Sequence, residues 1–176
     1  FMKIRALISF AIIAWTFVSC WPASVAFTDS GSLNACLKVF QMDPLEISAP
    51  NAPLNYNINL TEAVKNGIQN NTKLMLGSKD KTAQVIITGK IVGYAISSAA
   101  IQQGDAAARN RLTISAQMTI MMTCANDEYE KEMKVNSTRF ADFDASKDIS
   151  SEESSLLEQI NQQIVQDVIN QLLSDW

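Results

Sequence analysis

Histidine is absent from this chain of 176 residues. Its absence removes the usual general base, the Ser-His and Cys-His nucleophile pairs and the commonest metal ligand. Glycine and proline are scarce, with six and four residues, which excludes collagen-like and low-complexity classes. Charged side chains make up only 18%, against 47% apolar ones, so the chain can fill a core and is not of the disordered class. Positive charge is the scarcer sign, with 14 Lys and Arg against 18 Asp and Glu, a formal −4. A sequence-independent grip on nucleic acid needs a basic surface, so nucleic acid is not an expected partner. The length suits one domain of ordinary size.

Apolar residues dominate the N-terminus. With Met2 taken as the natural start, Lys3 and Arg5 form a short positive region, and Ala6 to Val18 is an apolar run of about a dozen residues. That is signal-peptide length, not the roughly 20 residues needed to cross a bilayer. The run ends in Phe17-Val18-Ser19-Cys20, and a small residue before a Cys here resembles the lipobox of bacterial lipoproteins. Residues 1–19 are therefore expected to be removed and Cys20 to carry lipid. The other reading is an ordinary signal peptide cut after Ala23 or Ala26. Loss of Lys3 and Arg5 would leave 12 basic against 18 acidic side chains, or −6. Residues 20–34 are small and polar and read as a lipid-anchored linker. Trp21 after the Cys, where Asp marks inner-membrane retention, points to the outer membrane.

Residues 35–176 read as a single domain. A first strand is expected over Cys36–Ile47, then a breaker-rich loop with Pro44, Pro50 and Pro53. Asn59 with Glu62 has the spacing of a capping box, and Leu60, Val64 and Ile68 give a helical stripe to Asn71. Gln84–Ser97 is β-rich and apolar on both faces. Arg111–Thr123 alternates with period two: Leu112, Ile114, Ala116, Met118, Ile120 and Met122 on one face, Thr113, Ser115, Gln117 and Thr119 on the other. Asn126-Asp127 reads as a hairpin turn before a fourth strand, Tyr129–Phe143. Ser150 with Glu153 suggests a second capping box, and Leu156 to Leu173 an amphipathic helix. The order β-α-β-β-β-α predicts an α+β two-layer sandwich, a four-stranded mixed sheet with two helices on one face.

The outer face of the third strand carries hydroxyls and amides and no charge between Thr113 and Thr123, which suits a face that something covers. Other chemistry is weak. Asp142, Asp144 and Asp148 lack the spacing and glycine of a calcium loop. Gly89 and Gly93 sit in a strand and not at a phosphate loop. No catalysis, cofactor or metal is expected. Cys36 and Cys124 lack CxxC spacing. With the second strand between them they would stand about 9.5 Å apart. A disulfide needs Cα atoms within about 7 Å. Free thiols are therefore expected, unless the strand ends fray or strand one lies beside strand three.

Asn59-Leu-Thr-Glu-Ala-Val64, Ile87-Thr-Gly-Lys-Ile-Val-Gly-Tyr94, Ala107-Ala-Arg-Asn-Arg-Leu-Thr-Ile114, Phe140-Ala-Asp-Phe-Asp144 and the closing helix resemble, in order, the shorter branch of the LptE family of lipopolysaccharide-assembly lipoproteins. The resemblance implies a non-enzymatic outer-membrane lipoprotein. Such a protein plugs the large β-barrel LptD, assists its assembly and contacts lipopolysaccharide on its way to the outer leaflet. The uncharged strand face, Thr113, Ser115, Gln117 and Thr119, then becomes a candidate contact surface. The tether at Cys20 places the start of strand one at the periplasmic end. The loops 44–57 and 98–108 are expected to meet at the far end, where Arg109 and Arg111 would face acidic barrel residues or lipopolysaccharide phosphates, or bond their own loops. A competing function is a free lipid-binding accessory lipoprotein of a phospholipid-transport system.

Overall fold

A backbone whose apolar side chains recur at every second position can bury one face of a sheet and leave the other open. The computed structural model, which describes residues 33–77, 82–99, 108–124 and 129–174, follows that pattern. The strands are β1 (Val39–Met42), β2 (Glu46–Ile47), β3 (Met75–Leu76), β4 (Val85–Ala99), β5 (Arg109–Cys124) and β6 (Tyr129–Asp144). The helices are α1 (Tyr56–Asn71) and α2 (Ile149–Leu173). The signal peptide, Cys20, the linker up to residue 32, and the turns at Gly104-Asp105 and Asn126-Asp127 lie outside the described residues.

The class is α+β, as expected, but the sheet has six strands rather than four, in the order β3-β1-β4-β5-β6 with β2 also beside β4. The expected first strand splits. Pro44 has no N–H to give a ladder, and the next amide, Leu45 N–H, donates to Thr61 Oγ1 at 3.0 Å instead of to a strand. β1 and β2 each pair with β4 in parallel, as the crossover through α1 requires. β3 adds two residues at the edge of β1. β4, β5 and β6 form an antiparallel meander, with β5 paired along its whole length.

The helices cover one face. Leu112, Ile114, Ala116, Met118, Ile120 and Met122 of β5 are no more than 2% exposed, against Leu60, Val64 and Ile68 of α1 and Ile160, Ile164 and Val168 of α2. Burial of each large apolar side chain contributes about 1.5–3 kcal/mol. In β4 the pattern changes hand. A register shift between Ile91 and Gly93 leaves Val92 as an extra residue. Before it Val85, Ile87 and Ile91 face the helices; after it Tyr94 does. This bulge is why β4 reads as apolar on both faces.

Both helix starts differ from the capping-box expectation. α1 begins at Tyr56, with Asn55 as N-cap and no side-chain cap bond, so Asn59 lies within the first turn. Burial of Tyr56, whose hydroxyl donates to the buried Asn161 Oδ1 at 2.7 Å, draws the helix upstream. In α2 the cap is Asp148, whose carboxylate accepts from Ser150 N–H at 3.1 Å. Glu153, expected to close that cap, instead accepts the Tyr94 hydroxyl at 2.5 Å. Asp167 fastens the middle of α2 to β6. It accepts the Ser137 hydroxyl at 2.5 Å, Arg139 Nε at 2.8 Å and a second bond from Arg139 Nη2.

The expectation of free thiols is overturned: Cys36 and Cys124 form a disulfide, with Cα atoms 6.1 Å apart. The expected order of strands is nonetheless present, with β4 between β1 and β5. The gap closes because β4 ends too soon to keep the cysteines apart. Its first residue, Val85, stands opposite Phe40 and Met122, so Cys36 and Cys124 both overhang its end.

Two outcomes test these features. Alkylation of the unfolded, unreduced protein should label neither Cys36 nor Cys124 by mass, and Cys36→Ser with Cys124→Ser should cost about 3 kcal/mol in urea unfolding. Tyr56→Phe should cost about 1–2 kcal/mol in the same assay, because it leaves the buried Asn161 oxygen without a donor.

Candidate functional site: the open face of the sheet

The face turned away from the helices is built on β5. Arg109, Arg111, Thr113, Ser115, Gln117 and Thr119 stand two apart and so form one column. β6 supplies the matching column in register: Asp144, Asp142, Phe140, Thr138, Asn136 and Lys134. β4 supplies Ala99, Ser97, Ala95, Gly93, Lys90 and Thr88. The six expected contact residues are thus brought together over about 33 Å of a strand about 50 Å long.

The arginine end is organised by pairing within the sheet. Arg111 donates to both Asp142 oxygens, Nε to Oδ1 at 2.6 Å and Nη2 to Oδ2 at 2.8 Å. Its guanidinium also lies 3.7 Å from the centroid of the Phe140 ring. Arg111 therefore bonds its neighbouring strand rather than a loop. The hydrogen bonds from Arg111 hold the Asp142 carboxyl below its ordinary value, with the charges of Arg111 and Arg109 acting in the same direction. The Asp144 carboxyl is also lowered, first by the Ser146 backbone N–H and hydroxyl, and further by the charges of Lys147 and Arg109.

The segment 44–57 does not stand at this end as expected, and residues 100–107 of the other loop lie outside the described residues. The β1–α1 connection leaves the sheet at β2, where Ser48 N–H donates to Ile91 O at 2.9 Å. β4 runs on for eight residues to Ala99, about 26 Å farther. The end is a three-stranded tongue of β4, β5 and β6, and the segment 44–57 stays at mid-sheet.

Lower on the face, Ser115 Oγ and Thr138 Oγ1 share a hydrogen bond at 3.0 Å. A shallow depression of about 440 Å³ follows, lined by Thr88, Lys90, Gln117, Thr119, Lys134 and Asn136, with Glu46 of β2 at its side. The neutral column expected on β5 is present, but its neighbours bring two lysines to the same face. Toward the disulfide, Ile86 and Met121 stand opposite each other and exposed. Phe140, Asp142, Lys90 and Lys134 were not among the expected site residues. A signal for the first two was there: in Phe140-Ala-Asp-Phe-Asp144 the acids alternate, as the arginines do in Arg109-Asn-Arg111, and register pairs the two motifs residue for residue. Among the described residues no cluster of His, Cys, Asp or Glu could hold a metal, and no helix is long and apolar enough to cross a membrane.

A family model described as LptE, lipopolysaccharide-assembly, matches residues 42–172, from the end of β1 to the last turn of α2. The chain belongs to the LptE family. It is thereby a lipopolysaccharide-assembly lipoprotein, of a family that is accessory and non-enzymatic. No curated protein matches this LptE-family chain in sequence. Among solved structures, it is similar to a hypothetical protein from Chlamydia trachomatis at 13% identity, covering 78% of this chain and 99% of that one, with a TM-score of 0.49. It is also similar to the uncharacterized lipoprotein B from Nitrosomonas europaea at 15% identity, covering 84% and 88%, with a TM-score of 0.48. A minor lipoprotein from Acinetobacter baumannii shares 15% identity over 79% of this chain and 92% of that one, with a TM-score of 0.46.

The carboxyls of Asp142 and Asp167 both sit below their ordinary value of 3.8, each through hydrogen bonds from an arginine. A lowered carboxyl contributes fully above its unfolded value, and the contribution is lost as pH falls through the folded one. Stability to urea should therefore hold down to about pH 4 and drop below it. Asp142→Asn with Asp167→Asn should start less stable at neutral pH and lose less between about pH 4 and about pH 2.5. An equal acid loss in both proteins would contradict the pairing.

Proposed function

We propose that this LptE-family chain sits in the lumen of an LptD-type β-barrel, plugging it, assisting its assembly and contributing to lipopolysaccharide insertion in the outer leaflet. It is anchored in the outer membrane by acyl chains on Cys20. The observation that carries this reading is the open face of β4, β5 and β6. A surface pressed against a barrel wall loses water, so its polar groups must find partners and an uncompensated charge would be costly. On this face the central column from Thr113 to Thr119 is neutral and able to donate and accept, and the Arg111 charge is already matched by Asp142. The length of the face also fits: about 50 Å of strand exceeds the 40–45 Å of a bilayer with its headgroups.

In this arrangement the disulfide end faces the periplasm and the tongue of β4, β5 and β6 reaches deepest. Arg109 and Arg111 are the proposed contacts there for acidic wall residues or lipopolysaccharide phosphates. Arg111 spends Nε and Nη2 on Asp142 and keeps further donors for a ligand. Thr113, Ser115, Gln117 and Thr119 are the proposed contacts along the wall.

Purification through a C-terminal tag from detergent-solubilised membranes should return a large β-barrel in stoichiometric amount, and its absence would end the plug reading. Arg109→Glu with Arg111→Glu should lower lipopolysaccharide delivery to the cell surface or the yield of barrel. If both stay unchanged, the tip contacts are elsewhere.

A further inference from the structure

The solvent side of the helical layer is as unusual as the open sheet face. Every exposed position of α2 is serine, glutamine or asparagine except Glu158. On α1 the exposed positions are Asn59, Asn66, Gln69, Asn70 and Asn71, with Ile58 and Glu62, and Glu62 is paired with Lys65 at 3.0 Å. Solvated helix faces ordinarily carry interspersed Lys and Glu, which support the helix through pairs one turn apart. Asparagine is a weak helix former, costing up to about 0.7 kcal/mol relative to alanine. α1 carries that cost at several surface positions, offset at Asn71, whose side chain donates to Gly67 O at 2.8 Å.

These amides line a groove. Gly67 of α1 lies against Val165 of α2, where a Cβ would collide with the valine side chain, so the helices approach closely there. The space above them, about 740 Å³, is rimmed by Asn59, Asn66 and Asn70 from one helix and Glu158, Gln162 and Gln166 from the other. Leu157, Val165 and Ile169 form its floor. Amide side chains each offer donors and an acceptor, and they bring no charge that must be desolvated. An apolar floor between walls of amides, with the Glu158 carboxylate as a further acceptor, matches a ligand with hydroxyl edges and C–H faces.

We propose that the groove between α1 and α2 binds an uncharged, hydroxyl-rich chain, a neutral saccharide. The proposal extends the lumenal reading, because a plug whose sheet faces the barrel wall turns its helices toward the conduit.

The test uses the full chain in detergent, labelled with nitrogen-15, and titrates maltohexaose while following side-chain amide signals. The signals of Asn66, Asn70, Gln162 and Gln166 should shift saturably, with a dissociation constant on the order of 1–10 mM. The variant Asn66→Ala, Asn70→Ala, Gln162→Ala should bind about tenfold more weakly. Its melting temperature should not fall, since alanine is the better helix former. Absence of saturable shifts overturns the proposal, as do equal shifts at Gln117 and Asn136 on the sheet face. Groove amides that ignore the saccharide but become protected in a co-purified barrel would mark a protein interface, and also overturn it. The titration needs no barrel, so its failure and failure of the plug reading are told apart.

Discussion

Everything in this fold hangs on the strict alternation along β5. Among the described residues it is the only long strand with long neighbours on both sides, and all its odd-even choices are made at once. A shift of one residue would drive Leu112, Ile114, Ile120 and Met122 into water and Thr113 to Thr119 under the helices. Because the apolar column is continuous, register with β4 and β6 is held from one end of the meander to the other. The polar column then falls on the open face without any further instruction.

That alternation is also what made the sheet legible. β5, β6 and α2 were read almost to their ends, because each carries a long periodic pattern that one packing partner enforces. The misreadings cluster where a tertiary contact overrides a local cue. Asn59 and Glu62 have the spacing of a cap, but burial of Tyr56 against Asn161 moves the helix start upstream. Ser150 and Glu153 have it too, but Glu153 is taken by Tyr94 from across the core. The β4 bulge had no residue-level marker other than apolar runs on both parities around Val92, since a bulge changes pairing and not composition. The disulfide is not legible from strand spacing at mid-sheet, because both cysteines lie beyond the end of the strand that separates them.

The candidate site divides in the same way. Its neutral column could be read from one strand alone. The environment of its arginines could not, because the partner acids lie some thirty residues away and only register brings them alongside. The tongue thereby carries its charge as an arginine–carboxylate pair, while the middle of β5 itself is left to hydroxyls and an amide flanked by Lys90 and Lys134. In the helical layer Glu62–Lys65 spans one turn of α1, Lys147–Glu152 lies at the start of α2, Asp167 ties the middle of α2 to Arg139, and the exposed positions of α2 other than Glu158 are hydroxyls and amides.

The disulfide determines how the molecule bears load. A pull applied to the chain at Leu33 reaches Cys36 and crosses to Cys124, so the segment between them is removed from the force path. Without the bridge the tension would enter β1, a four-residue strand with few ladder bonds to resist it. With it the tension acts along β5, whose ladders to β4 and β6 must all slip together. A pull at Leu33 is therefore borne by the two long ladders of β5 and not by the few bonds of β1 alone.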